Sequence, residues 1–325
     1  MKKNAVVCVV LAGLLAGAAL LSLCVGSANL SLGQLLAAFG DESLPAHTIF
    51  LQIRLPRVLL AMLVGAALSG AGALVQGVFK NPMADPYILG VSSGAALGAA
   101  IGMVFFESSA LLPPIAFLGG LGAVSLVWFL SRKGGTVSLL LAGTAVSAFL
   151  SAAVSSLMLV DRDKLERVYL WTMGSLSSAT WEKLFSCLPF VLLGLSLSLF
   201  FCKDLNAMLL GDEQAQSLGV DAPKVRLIVT LLSTLVAAAA VSVSGVIGFV
   251  GLMVPHGVRF LVGPSHERLV PVSALAGSLV LLVVDTLART LLAPSEIPIG
   301  VLTALLGAPF FLVLLRRSLK EGGVA

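Results

Sequence analysis

The sequence predicts an all-α, polytopic membrane protein of about ten transmembrane helices, organised as a single transmembrane domain over residues 1–325. Three observations carry that prediction. Only 11% of the 325 residues are charged and mean hydropathy is +1.06. Apolar runs of about 20 residues, the length that crosses a ~30 Å hydrocarbon core, recur from one end of the chain to the other. These runs are continuous, without the weak ten-residue alternation of a barrel strand, and a span in lipid must satisfy its backbone internally, so the spans are helices.

The first span is 5–25, behind Met1-Lys2-Lys3. It competes with a cleaved signal peptide and, through Cys24, with a lipoprotein signal. Leu23 stands where lipoprotein cleavage wants a small residue, and the run is long for a signal core, so a retained helix is expected. Residues 27–55 form a non-spanning stretch in which Ser31 and Gln34 fit a capping box and Leu32, Leu35, Leu36 and Phe39 share one face, predicting a short helix on the outer membrane surface. Further spans follow at 56–76, 88–106, 113–131, 136–158, 183–202, 227–244, 246–262, 270–290 and 297–315. Between the second and third, Asn81-Pro-Met-Ala-Asp-Pro86 carries two prolines in six residues and is stiff and non-helical. Gly65, Ser69 and Ala73, and likewise Gly90, Gly94 and Gly98, form small-residue faces that let helices pack closely. Ser244-Gly245 separates two spans by a tight turn or a broken helix.

With the N-terminus in the cytoplasm, 13 of the 20 Lys and Arg fall inside and 7 outside, which sets both termini in the cytoplasm. The net charge of +4 is scattered over helix ends, with no basic face for nucleic acid. Cys8, Cys24, Cys187 and Cys202 lie in or beside apolar runs without C-x-x-C spacing and read as small hydrophobes. No three of His, Cys, Asp or Glu have metal-ligand spacing, so no metal and no cofactor is expected.

One segment breaks the apolar pattern. In Leu209–Arg226, Asp212 and Glu213 suit a helix N-terminus, Ala215 and Leu218 sit three apart, and Gly219 is a natural stop; Asp221 then caps a second helix with Pro223 in its first turn. The product is a short capped helix, either lying on the membrane surface or docking into a partner's groove.

Gly211-Asp-Glu-Gln-Ala-Gln-Ser-Leu-Gly219 resembles the coupling loop of permeases of bacterial ABC importers for iron-siderophores, haem and cobalamin, the FecCD family. Arg54-Leu-Pro-Arg57, Ser69-Gly-Ala-Gly72 with Asn81–Pro86, Gly245–His256, Asp285-Thr-Leu-Ala-Arg289, Glu296–Gly300 and Gly307–Phe310 are similar to the same family, over about residues 50 to 317. The resemblance implies a homodimer of ten-helix subunits in the bacterial cytoplasmic (inner) membrane. It also implies two copies of a cytoplasmic ABC ATPase and a periplasmic or lipid-anchored substrate-binding protein. Gly211, Asp212, Glu213, Gln214, Ala215, Leu218 and Gly219 would then couple to the ATPase. Arg54, Arg57 and Arg289, which as isolated residues read as snorkelling anchors, would meet acidic groups of the binding protein. Asn81, Met83, Gly143 and Thr144 would lie at the cytoplasmic gate.

The chain has no G-x-x-x-x-G-K-[ST] loop, so ATP hydrolysis falls to a separate subunit and no enzyme activity is expected of this one. An ion-gradient-driven secondary transporter is the competing reading; it needs ionisable groups at mid-span, of which there are almost none. Asp285 is explained by pairing with Arg289 four residues on. Nothing in the sequence selects one chelate as cargo.

Overall fold

A computed structural model of the chain describes residues 2–26, 33, 45–106, 108–131 and 134–320. Among them, every regular element is helical. The spanning helices in order are α1 (Lys2–Cys24), α2 (Leu55–Val78), α3 (Val91–Phe105), α4 (Leu112–Ser131) and α5 (Gly135–Val160). A half-length α6 (Leu165–Thr172) precedes α7 (Trp181–Leu199), and two short helices, α8 (Cys202–Met208) and α9 (Asp212–Ser217), lead to α10 (Ala222–Ser244). The chain closes with α11 (Val250–Val262), α12 (His266–Ala288) and α13 (Ile299–Lys320). Seven helices are long and apolar enough to cross a membrane, and three shorter apolar ones, α3, α11 and the 299–313 part of α13, complete the ten expected spans.

The centre of the bundle is built on small residues. α2 lies along α12 with Gly65 against Gly277: a Cβ on either glycine would collide with the other's carbonyl oxygen. Ser278 adds a hydroxyl bond to the Met62 carbonyl at 2.7 Å. α3 meets α4 in the same way, Gly94 and Gly98 lying on the backbone of Gly119 and Ile115. Lipid tails are as apolar as Leu, so close backbone approach is a main source of association between these helices. The free cysteines behave as expected, Cys187 and Cys202 being buried among apolar neighbours.

Two features depart from expectation. The stretch expected to stay off the membrane until residue 55 is already helical at Pro45, and a π-turn, Ile49–Arg54, feeds α2 without a break. Pro56 has no N–H to give, so the widened turn before it fits the missing donor. Trp181 Nε1 pins this lead-in by donating to the Leu51 carbonyl at 2.9 Å. The surface helix expected around Ser31–Phe39 lies almost wholly outside the described residues. Residues 159–182, left between two expected spans, contain α6, and the segment after it is bonded to the ends of other helices: Ser175 N donates to the Ser244 carbonyl at 2.8 Å and Ile299 N to the Gly174 carbonyl at 2.9 Å.

The expected break after Ser244 is real. Residues 245–249 are non-helical, opening with Gly245 at φ +68° and closing with Phe249 at φ +67°, a left-handed conformation uncommon for a non-glycine residue. Tyr87 repairs the lost backbone bonds: its hydroxyl donates to the Ile247 carbonyl at 3.0 Å and accepts from Ile247 N at 3.4 Å. Broken helices survive at depth in membrane proteins only where such substitutes exist.

Candidate functional site

α9 starts after Gly211, whose φ of +127° suits a glycine, and places Asp212 and Glu213 in the first turn, where the helix dipole favours negative charge. It ends on Gly219 at φ +85°, with Val220 N returning to the Ala215 carbonyl at 2.9 Å. Ala215 is fully buried and anchors the helix, whereas Leu218 is 65% exposed. The two residues expected to form one apolar face therefore point opposite ways. Leu218 and the equally exposed Leu210 are the apolar points offered outward, and Glu213, Gln214 and Gln216 surround them with polar groups. Asp221 caps α10 as expected, accepting from Lys224 N at 3.2 Å. A groove of about 520 Å3 between α9 and the start of α10 is walled by Asp212, Glu213, Gln216 and Pro223.

Asp212 does more than complement a dipole. Its Oδ1 accepts from Lys80 Nζ at 2.8 Å and its Oδ2 from Arg226 NH2 at 2.8 Å. The Lys80 bond first, then the Arg226 bond, holds its carboxyl below the usual aspartate range. One carboxylate thus fastens α9 both to the base of α10 and to the residue that opens the Asn81–Pro86 loop. Lys80 itself sits at φ +50°. Beyond it, Asn81 Oδ1 accepts from Met83 N at 2.9 Å and Asp85 Oδ1 from Tyr87 N at 2.8 Å, so two Asx turns hold the loop. The loop runs into a 3-10 turn, Pro86–Leu89, and Gly143 of α5 packs so closely on Ile88 that a Cβ would strike its carbonyl. Thr144, next to it, is exposed and donates to the Leu141 carbonyl at 2.9 Å. Asn81 and Met83 thus reach Gly143 through the 3-10 turn, and through Lys80 they reach α9. Tyr87 links the same turn to the 245–249 break.

At the far end of α2 the three arginines are not displayed. Arg54, Arg57 and Arg289 are 5%, 7% and 7% exposed. Arg57 donates to Asp285 Oδ1 through NH2 at 2.9 Å and through Nε at 3.0 Å, and to both oxygens of Glu296 at 2.9 and 3.0 Å. Asp285, fully buried, keeps its expected ion pair with Arg289, at 3.9 Å, and takes its hydrogen bonds from Arg57. Arg289 also donates to the carbonyl and hydroxyl of Ser22, and Arg54 to the Leu23 and Cys24 carbonyls, so both clamp the end of α1. Lys80, Arg226, Tyr87 and Glu296 were missed as partners from sequence. Glu296 stood in a quoted motif, but nothing local links it to a residue 239 positions away.

A sequence profile of the FecCD transport family matches residues 14–317. The chain belongs to the FecCD transport family. It is 45% identical over 284 residues to the hemin transport system permease protein HmuU of Yersinia pestis, covering 84% of each chain. It is 44% identical to the cobalamin import system permease protein BtuC of Halobacterium salinarum, over 83% of this chain and 74% of that one. To the Fe(3+) dicitrate transport system permease protein FecD of Escherichia coli it is 42% identical over 93% and 96%. Among solved structures, an inward-facing conformation of a putative metal-chelate type ABC transporter superposes with a TM-score of 0.86 at 38% identity, covering 94% of this chain and 97% of that one. The all-α, multi-pass architecture and the role of permease subunit in an ABC importer follow from membership of this family together with the ten apolar helices.

Proposed function

We propose that this FecCD-family permease imports a metal chelate across the bacterial cytoplasmic membrane by alternating access, as a two-fold dimer fed from outside by a substrate-binding protein. Two copies of a separate ATPase grip α9 from the cytoplasm. The observation that carries this reading is the Asp212 junction, because it joins the exposed knob of Leu218 and Leu210 to the loop holding Asn81 and Met83. A partner that moves α9 moves that loop, and through the Pro86–Leu89 turn it presses on Gly143 and Thr144. Gly211 and Gly219 let the helix start and stop sharply enough to protrude. Relatives named for hemin, cobalamin and ferric dicitrate support a chelate as cargo.

Arg54, Arg57 and Arg289 support the docking rim for the binding protein from within: direct contact would require them to leave the partners they hold. Reconstitution in liposomes with the ATPase and binding protein tests the whole. Uptake of a labelled ferric chelate that requires ATP hydrolysis is expected; uptake driven by a proton or sodium gradient without ATP would overturn it.

A further inference from the structure

A cavity of about 410 Å3 opens at the Arg57 end of the bundle, between α6, the 175–178 loop, the first turn of α7, the end of α10 and the lead-in to α13. Its charged lining is Arg167, Lys183 and Glu296. Both oxygens of Glu296 are engaged by Arg57, so its charge is neutralised before any ligand arrives. Lys183 Nζ spends one of its three protons on Ser178 Oγ at 2.6 Å. Arg167 makes no hydrogen bond or ion pair among the described residues. Glu166 and Glu182, their chain neighbours, are exposed and do not line the space. Among the residues that line the cavity, Arg167 and Lys183 against Glu296 leave a surplus of one positive charge. Hydroxyls line it as well: those of Ser175 and Ser177 bond each other at 3.0 Å, and buried Ser244 is part of the wall.

We propose that this cavity binds a small, carboxylate-bearing anion, with Arg167 and Lys183 supplying the charge and Ser175 and Ser177 orienting it. Two cations beside rotatable hydroxyls are suited to a carboxylate, since charge-assisted bonds outlast desolvation where neutral ones break even. A volume of this size lies in the range of small-molecule pockets and excludes a folded protein segment. The inference rests on the importer reading only for the anion's purpose, which is to give the permease a preference for anionic over neutral chelates as cargo enters.

Citrate is the probe, titrated by isothermal calorimetry into the full-length chain purified in detergent with its ATPase, with uncharged triethyl citrate as control. Saturable citrate binding is expected, weakened at least about tenfold in Arg167→Gln and in Lys183→Gln, the loss of one charge-assisted bond each. Lys203→Gln, exposed at the opposite end, should bind as the parent does. In the unsubstituted protein the affinity should fall as salt is raised. No saturable heat, equal binding of triethyl citrate, unchanged affinity in both variants, or a response only to anionic lipid vesicles would overturn the proposal. ATP-driven uptake measured in parallel separates the outcomes: uptake without citrate binding removes this site alone, whereas Arg167-dependent citrate binding without ATP-driven uptake leaves the site and removes the importer reading.

Discussion

Asp212→Asn removes the charge of the junction while keeping its shape. Two ion pairs are lost, with partner side chains 32% and 12% exposed and the aspartate 50% exposed. Pairs this open to water contribute about 0.2–1 kcal/mol each, so the two together amount to roughly 0.5–2 kcal/mol. Spread over the stability of the whole chain, that shifts thermal unfolding by only a few degrees. Concentrated in the link between α9 and the gate loop, the same energy changes the fraction of ATP cycles that move the loop by about 2- to 30-fold. The assay is labelled chelate taken up per ATP hydrolysed by the reconstituted complex. Lys80→Met should reproduce part of the loss, and adding it to Asp212→Asn should cost nothing further, the mark of a shared interaction. An Asp212→Asn complex with an unchanged transport-to-ATP ratio, or a double variant whose losses add, would refute the transmission argument. The pH dependence has a definite sign. The folded pKa of Asp212 lies below its unfolded value, so its stabilisation is complete above the ordinary aspartate range and disappears as pH falls through the folded value. Acidification from pH 8 to 6 should therefore leave the ratio unaffected through this group.

Leu218→Asp should abolish co-purification of the ATPase while the permease still inserts and folds, because Leu218 makes no buried contact to lose; retained capture of the ATPase would argue against α9 as the docking element. Arg57→Met strands fully buried Asp285 and should destabilise the protein by about 3–5 kcal/mol, whereas Arg57→Met with Asp285→Leu should be milder, both read from thermal unfolding in detergent. Arg57→Glu consequently cannot serve as a pure docking test: lost uptake would accompany lost fold. Gly277→Leu should prevent accumulation of folded permease, since its side chain has only the Gly65 backbone and Ser69 to enter; normal yield would contradict the packing described.

The spans were legible because their signal is compositional: twenty apolar residues announce a helix whatever surrounds them. Helix α9 was legible for the opposite reason, since its acids and glycines stand out in an apolar chain. What stayed hidden is pairing. Asp285 does pair with Arg289 four residues on, at 3.9 Å, but nothing local announces the second and tighter partner, the Arg57 fork 228 residues away. Likewise Asp212 showed its fit to a helix start but gave no hint of Lys80. Half-helix α6 escaped notice because eight residues are too few to impose a period.

The phenolic oxygen of Tyr87 bonds both the N–H and the carbonyl of Ile247, a residue in the far half of the polypeptide. This side chain therefore joins the two halves in addition to the packed backbones of α2 and α12. Any displacement of the 245–249 break would have to carry the Pro86–Leu89 turn with it or forfeit both bonds.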